Sequence, residues 1–558
     1  MKMKTKNIAT FLLILVLFSG CKDLFQNLDE ETPHLITAES LYKNLEGFEA
    51  GLNGLYALVR EERSGLNDYL GAHWIVGTDN MVVNYGSSGT SSWSVAYDWG
   101  SSNNPVQPSH LRPFLWLYRV VNAANTIINR AENEDVNWSS GSGSNQMENK
   151  NRVVAEARAI RAWAYRHLSF GWGDVPLNLD ESKGSTIKTD WVRTPVAQVR
   201  KQIISDLIFS EKYILVEPAM RGRLTKGAVQ TLISEMYLTI SKPDSALLWA
   251  DKVINTPQYK LITKRYGVNA NKPGVAFMDM FYEGNANRAE GNTEALWVWQ
   301  YAFNVIGGGE SNLFHVHNGR YFSIRINGVT PLQLTYERGG RGVARISLTK
   351  WAIDLYEKRD ERGSDYAIRK FFTLKDAQAN APFAADLLPP GYKYGDTIKL
   401  DWSKDITRAT ANRPDWPYSR KAEPGANPAD LASFVHYNDA IYMRLAATYL
   451  LKAEAQYLLG SPAAAAETIN ILRRRAKASE VSANQINIDF ILNERSRELF
   501  LEEDRRWTLL RTNKWLERTK AHNFNGGQLV SARDVLFPIP QSIIDANLTT
   551  PMPQNPGY

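Results

Sequence analysis

Thr225–Asn255 reads TKGAVQTLISEMYLTISKPDSALLWADKVIN, and Asp439–Ala476 reads DAIYMRLAATYLLKAEAQYLLGSPAAAAETINILRRRA. Each is an apolar-periodic run broken by a proline and followed by a second run. Thr225 is a capping hydroxyl ahead of a helix to Ile240, and Lys242-Pro243 ends it and opens a partner reaching Asn255. In the second stretch the spacing predicts one helix over Asp439–Leu459, stopped at Gly460, with Ser461-Pro462 starting its partner to about Ala476. Both stretches therefore predict helical hairpins.

The hairpins share an interval. Ala246 follows Tyr237 by nine residues, and Ala466 follows Tyr457 by the same distance. A large residue late in one helix and an alanine early in the next allow close packing. The interval matches the tetratricopeptide unit, a helix–turn–helix of about 34 residues. Further helices are predicted from Thr37, with Leu41, Leu45, Phe48, Leu52 and Leu55 on one face, and over Leu111–Asn133 and Asn151–Phe170. Another starts at Thr194-Pro195 and runs to about Leu215. The predicted fold is mainly α, a tetratricopeptide-like hairpin scaffold over about 37–62, 109–256 and 436–520.

Between these blocks the helical period fails. Residues 63–107 mix Gly, Ser and Asn with aromatics, and 260–435 is punctuated by Gly307-Gly308-Gly309, Gly339-Gly340-Arg341-Gly342 and Pro389-Pro390-Gly391. Short alternating segments such as Ala295–Tyr301 suit strands. Loops mounted on a rigid scaffold are where binding residues concentrate.

The N-terminus carries a separate signal. Lys2, Lys4 and Lys6 precede eight consecutive apolar residues, Phe11–Phe18, and Ser19-Gly20 lead into Cys21, the only cysteine of 558 residues. A charged start, a short apolar run and small residues before a junction describe a secretory signal over 1–20. The run is too short for a permanent span, which needs about 20 apolar residues. A thiol at this junction resembles a lipobox, so Cys21 is predicted to carry lipid, with 21–36 as a tether and 37–558 as one folded domain.

A net charge of +6, half of it in the signal, is too small for nucleic-acid binding, and no basic block appears. A single cysteine excludes an intrachain disulfide. No HExxH, GxSxG or Walker glycine loop is present, and Glu494, Arg497, Glu498, Glu502, Glu503, Arg505 and Arg506 read as a salt-bridged structural cluster. His315 and His317 are the only close histidine pair, and two ligands do not make a zinc site. No cofactor is predicted; a structural calcium fits the Asp/Asn-rich loops, although no EF-hand spacing occurs.

Sugar binding is better served. A pyranose presents a C–H face that suits an aromatic ring, and hydroxyls that need polar partners alongside. Residues 74–99 supply Trp74, Tyr85, Trp93, Tyr97 and Trp99 together with Asp79 and Asn80. The later excursion supplies Tyr301, His315, Tyr321 and Arg325, beside Phe303 and Tyr336. These are the candidate ligand-binding residues.

Several segments resemble the SusD/RagB family of surface lipoproteins. Ala155-Glu156-Ala157-Arg158 with Phe170-Gly171-Trp172-Gly173-Asp174-Val175-Pro176 is similar to that family's helix and FGDVP turn, with Trp172 inserted. Met443-Arg444-Leu445 with Ala453-Glu454-Ala455, Asn493–Leu499 with Arg506-Trp507, Phe537-Pro538-Ile539-Pro540 and Gln554–Tyr558 follow in the family's order. The resemblance implies a lipid-anchored protein on the outer face of the outer membrane. It further implies a non-catalytic receptor that captures oligosaccharide for a SusC-like TonB-dependent transporter. Peptide capture, as in RagB-like members, keeps the same fold, and a surface glycoside hydrolase is the rival of a different class.

Overall fold

The structure, a computed structural model, describes residues 37–65, 70–84, 93–183, 188–218, 220–377, 384–427 and 429–558. Cys21 and Tyr85 lie outside the described residues.

Thr37 caps a single turn, Ala38–Leu41, and the chain breaks before Asn44 caps a second start. The one helix predicted from Thr37 is thus two, because a new capping side chain intervenes. The long helices that follow are α1 (Leu45–Arg60), α2 (Pro108–Arg130), α3 (Gln146–Gly171), α4 (Val196–Tyr213), α5 (Lys226–Thr239) and α6 (Pro243–Ile254). After the short α7 (Leu313–His317) come α8 (Leu445–Leu458), α9 (Pro462–Arg475), α10 (Ile488–Leu499), α11 (Arg505–Arg511) and α12 (Trp515–His522). In α3, Val153, Ala157, Ile160, Ala164 and Leu168 form a fully buried stripe against α2 and α4.

The two hairpins, about 180 residues apart in sequence, are neighbours in space: α6 packs on α8. Ala246 of α6 is buried against Leu451 and Ala455 of α8, with Tyr237 alongside. Ala466 meets Ala453, with Tyr457 alongside. The alanines at the shared interval thus sit where helices approach closely.

Asp439–Leu459 is corrected. Ala440–Arg444 is a strand, β8, and the helix begins only at Leu445. β8 pairs antiparallel with β2 (Ala295–Trp299), and backbone pairing with this distant partner overrides the local helical pattern. The first excursion also contains regular structure: β1 (Met81–Val83) pairs with β3 (Ile346–Leu348), stitching it to the second excursion. Four further two-residue or three-residue pieces give the pairs β4 (Ile368–Arg369) with β7 (Tyr418–Ser419) and β5 (Phe371–Thr373) with β6 (Thr397–Lys399).

The charged cluster is structural as expected, but it spans two helices, α10 ending at Leu499 and α11 starting at Arg505, and most of its partners come from distant segments. Buried Glu494 meets Arg362 and Arg473 at 2.8 Å and Arg497 at 2.7 Å. Glu498 meets Arg444 at 2.6 Å and Arg362 at 2.9 Å. Burial would raise the Glu494 carboxyl, but the surrounding guanidiniums of Arg362, Arg497 and Arg473 hold it down at about 2. Among the described residues, no helix is long and apolar enough to cross a membrane.

Candidate ligand-binding face

The predicted ligand residues separate by location. Trp74 is fully buried, its indole N–H donates to Glu62 at 2.8 Å, and its ring stacks between Trp116 and Trp507. Trp99 is buried edge-on against Trp515, with Arg506 over its ring. Trp93 is buried as well. Asp79 lies inside a guanidinium clamp, 2.7 Å from both Arg505 and Arg518. Burial raises its carboxyl, yet the two arginines bring it to about 2. Asn80 is buried and donates to Ser496 at 3.2 Å. These five side chains are corrected from ligand contacts to core: all are buried among protein neighbours and present no face to a ligand. Tyr97 is different, half-exposed with Arg408 4.3 Å over its ring.

In the second excursion Tyr301 is buried, its backbone N–H donating to Asp439 at 2.8 Å. His315 and Tyr321 are also buried, and both serve the backbone of one turn. The His315 imidazole bonds the Arg341 carbonyl through Nδ1, and the Tyr321 hydroxyl donates to the Gly340 carbonyl at 2.7 Å. The Arg341 N–H donates to Leu431 O at 2.9 Å. Three segments therefore converge on the Gly340-Arg341 turn: α7, the turn Tyr321–Ser323, and the chain before β8. Glycine is required here, since a Cβ at Gly342 would come within 2.4 Å of the Asn318 and Gly319 carbonyls. His315 and Tyr321 are thus corrected from ligand contacts to supports one layer below the surface.

What this layer supports is an aromatic face. The Arg341 guanidinium lies 4.4 Å over the half-buried Phe434 ring and 5.8 Å from that of Phe322. Half-buried Tyr437 meets Phe303 edge-to-face at 5.1 Å, and Phe303 is 44% exposed. Arg325, predicted from sequence, is exposed three residues beyond Phe322. Tyr336 is half-exposed and its hydroxyl donates to Glu283. The face adjoins the first excursion, because Arg345 O accepts the Asn84 N–H at 2.9 Å just past β1. Rings held edge-on and flat by a rigid underlayer can stack on C–H faces, while guanidinium and hydroxyl groups take up hydroxyl or anionic substituents.

Sequence reasoning missed Phe322, Arg341, Phe434 and Tyr437. The available signal was Arg341 inside the run Gly339-Gly340-Arg341-Gly342: three glycines around one long cation mark a backbone pressed close to its neighbours to present that side chain. His315 and His317 do not form a metal site; His317 Nε2 accepts the Ser419 N–H at 3.1 Å. Among the described residues, no cluster of three His, Cys, Asp or Glu side chains could hold a metal ion.

Comparison with known proteins gives consistent results. Residues 298–558 match the model of the SusD family, and residues 55–238 match a model described as starch-binding associating with outer membrane. SusD-like protein P2 of Formosa agariphila is 25% identical, with 98% of this chain and 99% of that protein covered. A laminarin-binding SusD-like protein superposes with a TM-score of 0.68 at 20% identity, covering 93% of this chain and all of the other. Surface glycan-binding protein A of Bacteroides thetaiotaomicron, solved with laminarihexaose, gives 0.65 at 19% identity, covering 92% and 99%.

Proposed function

We propose, from the premise that this chain belongs to the SusD-like family, that it is a glycan-binding lipoprotein of the outer membrane. It captures an oligosaccharide at the cell surface and passes it to a SusC-like TonB-dependent transporter. The single observation that carries the binding role is the outward aromatic–guanidinium face of Phe303, Phe322, Arg341, Phe434 and Tyr437, held by buried His315 and Tyr321. Relatives whose names record laminarin or laminarihexaose support carbohydrate as the ligand class.

Cys21 is the proposed lipid attachment point, and the anchor leaves the folded region facing outward. Two or more acyl chains make such attachment stable, at about 0.8 kcal/mol per buried methylene. Radiolabelled palmitate should enter the wild-type chain and not Cys21→Ser.

The binding role is tested by calorimetric titration of the purified protein against a panel of oligosaccharides, with release of reducing ends measured in parallel. Saturable binding without hydrolysis supports the receptor. Hydrolysis on incubation would replace it with a surface glycoside hydrolase, and binding of peptides instead of glycans would make it a peptide receptor. The transporter role predicts that a barrel protein co-purifies from the native membrane.

A further inference from the structure

Many of the arginines inside this molecule are neutralised by carboxylates. Arg161, Arg166, Arg338, Arg362, Arg444 and Arg505 all sit in ion pairs of 3.1 Å or less. Arg341, on the candidate face, does not. Its backbone is held by two hydrogen bonds, the N–H to Leu431 O and the carbonyl from His315 Nδ1, yet among the described residues its guanidinium meets no carboxylate within 4 Å and no hydrogen-bond acceptor. Among the described residues, the rings of Phe434 and Phe322 are what it packs over. Arg320 and Arg325 flank Phe322 in the chain, and neither has an ion-pair partner among the described residues.

The carboxylates around the face are committed elsewhere or stand apart. Glu283 accepts the Tyr336 hydroxyl, and one oxygen of Asp430 accepts the Ala432 N–H at 2.9 Å. Glu310, near Tyr437, forms no ion pair with any of the three arginines. A guanidinium held over an aromatic ring by cation–π attraction alone keeps its N–H groups free to donate to a ligand. The guanidinium fork matches the two oxygens of a carboxylate or sulfate, and the pair is short, charge-assisted and directional.

Resting on the glycan-binding reading above, we infer that the oligosaccharide is anionic, bearing sulfate esters or uronate carboxylates, and that Arg341 takes one of these groups in a bidentate contact. Arg320 and Arg325 supply the surrounding positive field. The rings beside Arg341 stack on the sugar that carries the charge. A neutral glucan would use the rings and leave the fork unanswered.

The test titrates the full-length protein in detergent with matched pairs: dextran sulfate against dextran, and oligogalacturonate against its carboxyl-reduced form. Laminarihexaose is a further neutral probe. The expected result is at least tenfold tighter binding of one anionic member than of its neutral partner, falling as NaCl is raised from 50 to 500 mM on the order set by screening. Which pair responds tells sulfate from carboxylate. Arg341→Gln should abolish the preference, and Arg341→Lys should restore only part of it, since an ammonium keeps the charge and loses the fork. Arg325→Gln, at an exposed position, should weaken the salt dependence without a change in melting temperature. Equal affinity for both members of each pair, or a charge preference that survives Arg341→Gln, overturns the inference while the glycan-binding reading stands. Failure to bind any glycan of either class overturns that reading and the inference with it.

Discussion

The two loop-rich excursions look alike in composition and behave oppositely in the fold. In the first, Trp74, Trp93 and Trp99 turn inward and Asp79 is clamped by Arg505 and Arg518. In the second, buried His315 and Tyr321 prop up a turn that keeps Arg341, Phe434 and Tyr437 at the surface. An aromatic residue in a polar loop can therefore plug a scaffold or present a ligand surface. The difference lies in what the rest of the chain places beneath it.

The sharpest way to break this contrast is to remove Asp79. Asp79→Ala removes the carboxylate that buried Arg505 and Arg518 share, leaving them only Glu503 and Asp489, and should cost about 3 kcal/mol of stability. Trp74→Ala should cost a similar ~3–5 kcal/mol through cavity formation. Chemical denaturation measures both. If either variant keeps wild-type stability but loses ligand, the first excursion is the binding surface after all.

Acid should act on both regions. Burial pushes His73 and His317 down to about 3, so each is neutral when folded and titrates near its ordinary value of about 6.5 when unfolded. The unfolded chain then binds more protons below pH 6.5, so stability falls as pH drops from 6.5 towards 3. The loss is about 2 kcal/mol per histidine at pH 5. His315 and His436, packed edge-on beneath the face, are lowered in the same direction by burial. Melting temperatures recorded between pH 8 and pH 4 check the trend; a flat profile would show these imidazoles to be solvated.

A smaller and more local effect is expected at the face itself. Phe434→Ala should weaken oligosaccharide binding about tenfold, equivalent to ~1.4 kcal/mol, with less effect on stability than Trp74→Ala. Tyr97→Ala, on the first excursion but half-exposed under Arg408, should change stability by no more than about 1 kcal/mol. Calorimetry and thermal melts of the two variants, run together, place Tyr97 with one region or the other.

How much of this was legible depended on sequence distance. The hairpins could be read because a helical period, a capping threonine and a proline are local features, and Ala246 and Ala466 mark their own close contacts. Strand β8 could not, since its pairing with β2 comes from a segment about 145 residues away. Asp79 looked like a free loop carboxylate because its partner Arg505 lies 426 positions along the chain. The candidate face was half-legible: the sequence pointed to both excursions, and the residues named in the second, His315 and Tyr321, lie one layer beneath Phe434 and Arg341. Depth within a loop has no periodic signature.

The most direct measurement is a crystal structure of the protein with the tightest-binding oligosaccharide of the panel. The account predicts sugar rings against Phe434, Phe322 or Tyr437 and within hydrogen-bonding reach of Arg341, with Trp74, Trp93 and Trp99 still enclosed. A ligand stacked on any of those three tryptophans, with the Arg341 turn bare, would contradict it.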